Sequence, residues 1–98
     1  MIEIEQSERY NTWISTLRDR KAAAIVTTRV ERIRIGLLGD VRSVGSGVSE
    51  LRINYGPGYR VYFTWRGTTL ILLLCGGDKA TQSNDIKTAK AMLAERHP

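Results

Sequence analysis

The chain has one cysteine, one histidine and ten acidic residues against fifteen basic ones, and each shortage narrows what it can be. A lone thiol forms no internal disulfide, and the place of Cys75 inside an apolar run reads as a buried free thiol of a reducing compartment rather than a reactive one. His97 stands beside the carboxyl terminus with no Cys, Asp or Ser partner at an interpretable spacing, and reads as a residue of a frayed end. No cluster with metal-ligand spacing is present in the sequence, so neither metal nor cofactor is expected. The longest apolar run, 70–75, is far short of a membrane span, and the opening Met-Ile-Glu-Ile-Glu lacks a basic, then apolar, leader. A cytoplasmic protein with no membrane partner is expected.

What is there describes a globular domain. A length of 98 residues accommodates one domain, 1–98, with a modest core and no room for a separate cofactor domain. Apolar and charged fractions of 42% and 26% sit near the globular average. The net charge of +5 biases the protein toward polyanions such as nucleic acid. Arginines 29, 32, 34, 42, 52, 60 and 66 face only Glu31, Asp40 and Glu50 over the same stretch, which centres any polyanion site in the middle of the chain.

Periodicity gives the elements. Residues 1–5 alternate Ile2 and Ile4 with glutamates, as in a short half-exposed strand. Ser7 can cap a helix with the stripe Tyr10, Trp13, Ile14 and Leu17, and Asp19 a second helix with Val26, Val30, Ile33 and Leu37 on one side, ended by Gly36 and Gly39. The loop 44–47 leads into a β-hairpin, 50–63, that turns at Gly56-Pro57-Gly58. A strand over 68–77, nearly all apolar from Leu70 to Cys75 and broken by Gly76-Gly77, precedes a helix from about Gln82 with Ile86, Ala89, Ala91 and Leu93 on its face. The expected order is βααβββα, an α+β fold with an antiparallel-dominated sheet, the N-terminal helical hairpin on one face and the other face at least partly open.

Strand parity selects the candidate site. Leu51, Ile53, Val61 and Phe63 share one face of the hairpin, while Glu50, Arg52, Arg60 and Tyr62 share the other. Two guanidinium groups on adjacent strands can hold a phosphodiester by bidentate hydrogen bonds; the plainer alternative is a cross-strand salt bridge with Glu50. The turn Gly76-Gly77-Asp78-Lys79 sets Lys79 at the sheet edge, and its spacing is not that of a P-loop, so a plain strand-to-helix turn stands as the alternative. Tyr62 shares the face of Arg60 and can stack on an unpaired base, Tyr55 and Tyr59 follow the core parity, and Trp13 and Trp65 read as core. Arg52, Arg60 and Lys79 are therefore the candidate catalytic residues, with Glu50, Tyr62, Arg42 and Arg66 as candidate substrate-binding residues.

The runs Gly47-Val48-Ser49-Glu50-Leu51-Arg52-Ile53, Gly56-Pro57-Gly58-Tyr59-Arg60-Val61-Tyr62-Phe63 and Leu73-Leu74-Cys75-Gly76-Gly77-Asp78-Lys79, with Asp85, Ile86 and Ala89, resemble the RelE/ParE toxin superfamily and its HigB-like addiction module killer branch. The resemblance implies a RelE-like microbial RNase-type fold and the toxin of a type II toxin–antitoxin module. It implies a metal-free, ribosome-dependent messenger RNA endonuclease, neutralised by a cognate helix-turn-helix antitoxin. Such an enzyme sends the ribose 2′-hydroxyl onto the adjacent phosphate, with Arg60 stabilising the phosphorane, Arg52 orienting the phosphate, Lys79 as the acid, and Glu50 or Asp78 receiving the 2′ proton. The C-terminal Tyr or His of many such nucleases is missing apart from His97, which keeps two alternatives open. One is a ParE-like inhibitor of DNA gyrase, the other a non-catalytic basic RNA-binding module.

Overall fold

A computed structural model describes residues 1–95, so His97 lies outside the described residues. The elements run β1 (Glu3–Gln6), α1 (Glu8–Thr16), α2 (Arg20–Arg34), β2 (Val41–Gly45), β3 (Val48–Ile53), β4 (Tyr59–Arg66), β5 (Leu70–Gly77), a single 3₁₀ turn (Lys79–Thr81) and α3 (Gln82–Glu95). Their sheet has the order β1-β5-β4-β3-β2. All neighbours are antiparallel except β1, which lies parallel to β5. The class is α+β with a mixed sheet, and the order differs from the expected βααβββα by one strand.

That extra strand is β2, whose last two residues fall in the loop expected over 44–47 and whose first three have no expected element. It is an edge strand with a register shift between Ser43 and Gly45, and such a break blurs the two-residue alternation that signals a strand. Ser46 and Gly47, with φ of 55° and 81°, close a two-residue hairpin into β3, the left-handed pair that a tight β-turn requires.

Local chemistry sets the helix ends. The Ser7 hydroxyl accepts from Tyr10 N–H at 3.0 Å and donates to the Leu74 carbonyl at 2.6 Å, which caps α1 and ties it to β5. Asp19 caps α2 through Ala22 N–H. That helix closes at Arg34 with Gly36 N–H on the Ile33 carbonyl and Leu37 N–H on the Arg32 carbonyl, a Schellman closure with Gly36 at φ 87°. Leu37 therefore falls beyond the helix and is 58% exposed, where the apolar spacing placed it on the buried side.

The two faces of the sheet are packed differently. Tyr10, Val26, Ile33, Leu51, Val61, Phe63, Ile71 and Leu73 form an apolar core under α1 and α2. On the opposite face α3 covers Val48, Tyr62, Leu72, Leu74 and Cys75 through Ala89 and Leu93, so that face is open only in part, where α3 stops short of Arg52. A β-bulge between Tyr62 and Phe63 turns both Leu74 and Cys75 toward α3. Gly76 and Gly77 pair with Val61 and Arg60 and thus belong to β5 instead of breaking it. A Cβ on Gly76 would enter the Trp13 ring and one on Gly77 would strike Asp85, so close packing demands both glycines. Trp65 is 37% exposed at the far end of β4, and Ala91 is exposed on α3, both against the core positions expected for them.

Candidate nucleic-acid interface

Parity along β3 and β4 holds: Glu50 stands opposite Tyr62, and Arg52 opposite Arg60, on the face that α3 covers. What parity could not show is where the cover stops. Glu50 lies under α3 and is fully buried, the Arg60 side chain is 12% exposed at the margin, and the Arg52 side chain is 43% exposed beyond it. The hairpin turn then meets the 3₁₀ turn through Lys79 N–H on the Pro57 carbonyl at 3.4 Å, which brings Lys79 to the same end of the sheet.

The result is an open cleft of about 370 Å³ walled by Arg52, Arg60, Lys79 and Asp40, with Ile53, Asn54, Gly58 and Tyr59 around them. Three cations face one carboxylate there. The Nε of Arg60 is buried without a hydrogen-bond partner among the described residues. Lys79 makes no ion pair among the described residues. A larger concavity, about 820 Å³, lies toward the opposite end of the sheet between Trp65 and α3, but among the described residues Lys90 is the one charged residue lining it. Converging charge, not size, marks the first as the candidate site.

Glu50 is the node beneath the cleft. Its carboxylate accepts from Arg42 Nε at 2.8 Å, Tyr62 Oη at 3.0 Å and Gln82 Nε2 at 3.0 Å, with Arg60 Nη1 at 3.7 Å. Burial pushes its pKa up, but the hydrogen bonds from Arg42, Gln82 and Tyr62 outweigh burial and hold it below the usual carboxylate range. Burial, then the bond to Glu50, pushes the Tyr62 phenol well above its ordinary value, so Tyr62 is a neutral donor.

This arrangement corrects several expectations. Glu50 and Tyr62 are sealed at 0% exposure, so neither contacts substrate: the one takes no 2′ proton and the other stacks on no base. They hold the cationic wall from behind. Arg42 is bound to Glu50 on the edge strand and does not line the cleft. Arg66 sits six residues beyond Arg60 on β4, about 20 Å away at the rise of a strand, and belongs to no shared site. Asp78 caps the 3₁₀ turn through Ala80 and Thr81 N–H and is likewise no proton acceptor in the cleft. The plain alternative for the arginines is present in part, because Arg60 does reach Glu50, yet both guanidinium groups also line one cleft.

Two residues of the site escaped sequence reading. Asp40 seemed only to follow the end of a helix, and Gln82 only to begin another. Asp40 reaches Arg52 across 12 residues and Gln82 reaches Glu50 across 32, distances no local pattern reports. The register of β2 on β3 was the missing signal for Asp40.

Fold and site together define a small α+β protein with a basic cleft at one end of a mixed sheet. Residues 13–96 match the family described as phage derived protein Gp49-like (DUF891), and the chain belongs to that family. A protein of Haemophilus influenzae, itself described as uncharacterized, is 44% identical over 94 residues, which is 96% of this chain and 95% of the relative. The Gp49-like match replaces the RelE/ParE, HigB-like assignment. The motifs behind that assignment are dominated by Leu51, Ile53, Val61, Phe63, Leu73 and Leu74, all buried, and by glycines at turns and close contacts. Such residues record how strands pack and turn, which different families share.

Proposed function

We propose that this protein is a toxin-like member of the Gp49-like family that binds the RNA backbone in the Arg52–Arg60–Lys79 cleft and promotes its cleavage, arresting translation. The observation that carries the reading is the convergence of those three cations on one cleft. Guanidinium forks match the paired oxygens of a phosphodiester, and preorganised cations favour the extra charge of the phosphorane over the ground state. In the step itself the 2′ oxygen forms a bond to phosphorus and the bond from phosphorus to the 5′ oxygen breaks. The 5′ oxygen takes a proton from the Lys79 ammonium, and the 2′ proton passes to water because Glu50 is sealed. A 2′,3′-cyclic phosphate and a 5′-hydroxyl result. An open cleft of this kind orients a free strand weakly, which favours messenger RNA already held on the ribosome as substrate. A cognate antitoxin of the helix-turn-helix type would meet the cleft with acidic residues.

Inducible expression tests the reading. Wild-type protein should stop incorporation of labelled amino acids before that of thymidine, and end-mapping should find cyclic phosphates on cut messages. Arg52→Ala and Lys79→Ala should each lower cleavage on the order of a hundredfold while the chain stays folded. DNA synthesis failing first, with messages intact, would overturn it in favour of a supercoiling target.

A further inference from the structure

The cleft already contains an anion of the protein's own. Asp40 accepts from Arg52 as a fork, Nε to Oδ2 and Nη2 to Oδ1, each at 3.1 Å. This is the geometry with which a guanidinium grips a phosphate. The backbone sets the carboxylate there: Arg52 N–H donates to the Asp40 carbonyl at 2.9 Å. Gly39, at φ 70°, makes the approach with the Arg29 guanidinium lying where a Cβ would stand. Side-chain exposures of 43% for Arg52 and 55% for Asp40 leave the pair in water, where such bridges are weakly held and exchange readily. Glu50 makes the contrast, since it is sealed and accepts three hydrogen bonds.

We propose that Asp40 is a built-in stand-in for phosphate, occupying the Arg52 fork until an RNA phosphodiester displaces it, and that it thereby selects strands over single anions. The proposal rests on the cleft being the RNA site. A free phosphate that expels the carboxylate gains only what Arg52 returns, and then sits beside the repelling charge it displaced. A strand does the same at one phosphate while its neighbours engage Arg60 and Lys79, so its net gain survives. Inorganic phosphate also carries more negative charge near neutral pH than the single charge of a phosphodiester, so the displaced carboxylate repels it harder, and Asp40 costs a small anion more than it costs a polymer.

Asp40→Asn in the full chain tests this, with a fluorescein-labelled decaribonucleotide read by anisotropy and inorganic phosphate as competitor. The variant should bind the oligonucleotide about fivefold tighter and phosphate about tenfold tighter, so discrimination falls. The slope of log affinity against log salt should steepen by about one, because the released Arg52 neutralises a phosphate outright. Unchanged affinity and slope in the variant overturn the role of Asp40 and leave the cleft standing. A wild-type protein that binds no oligonucleotide overturns the cleft reading and Asp40 with it. If Asp40→Asn does not fold, the Arg52 Nε–H resonance of the wild type decides. It must shift along the same binding curve as the anisotropy, and a resonance unmoved at saturation overturns the proposal.

Discussion

The two faces of the sheet use the same strands for opposite purposes. Under α1 and α2, Phe63, Val61, Leu51 and Ile71 meet Tyr10, Val26 and Ile33 in an apolar layer. Under α3 the same β3 and β4 place Glu50 and Tyr62 in a hydrogen-bonded node, with Arg60 ion-paired to it at 3.7 Å, beside a smaller apolar cluster. The first face supplies stability by burying apolar area. The second spends part of its area on a desolvated carboxylate that fixes a cation at the rim of the cleft. The lesson is that the site lies where the covering helix ends, so that one row of residues passes from sealed Glu50 through marginal Arg60 to exposed Arg52.

Three substitutions break or sharpen that contrast. The largest effect belongs to the dry face: Phe63→Ala, at 0% exposure, should cost about 3–5 kcal/mol in urea denaturation, enough to unfold a domain of this size near body temperature. The polar face should be intermediate. Glu50→Gln removes a charge that three donors share and should cost about 2–3 kcal/mol. It should also change the acid limb of the stability curve. Because the folded pKa of Glu50 is depressed, its contribution is complete above the unfolded value, near 4.3, and is lost as pH falls through the lower folded value. Wild-type stability should decline across that acid window, and Glu50→Gln should decline less; parallel curves would remove Glu50 from the node. The smallest stability effect falls at the rim, where Arg52→Ala should change unfolding free energy by less than about 1 kcal/mol while oligonucleotide binding weakens. A stability loss as large as that of Glu50→Gln would mean that Arg52 is part of the scaffold and not of a site.

Much of this molecule was legible from residue pattern. The caps Ser7 and Asp19, the close of α2 at Gly36 and the parity of β3 and β4 all rest on interactions within a few residues, which local order displays. Features that depend on partners far along the chain were not. The edge strand β2 was hidden by its register shift, and Leu37 and Trp65 obeyed an apolar spacing while standing in solvent. Among the candidate residues, Arg52, Arg60 and Lys79 line one cleft. Glu50, Tyr62, Arg42 and Arg66 did not join them at the cleft, because parity assigns a face but not the helix that covers it.

By itself the sequence determined the α+β class, the helix ends, the basic middle of the chain and the pairing of Arg52 with Arg60. Each follows from backbone preference, hydrophobic period or net charge. Tertiary structure alone decided that α3 would bury Glu50 and leave Arg52 in water, that β2 would carry Asp40 to the Arg52 fork, and that Lys79 would close the cleft. Burial and ion pairing depend on which distant surfaces meet, and a linear pattern with period two or three and a half contains no record of that meeting.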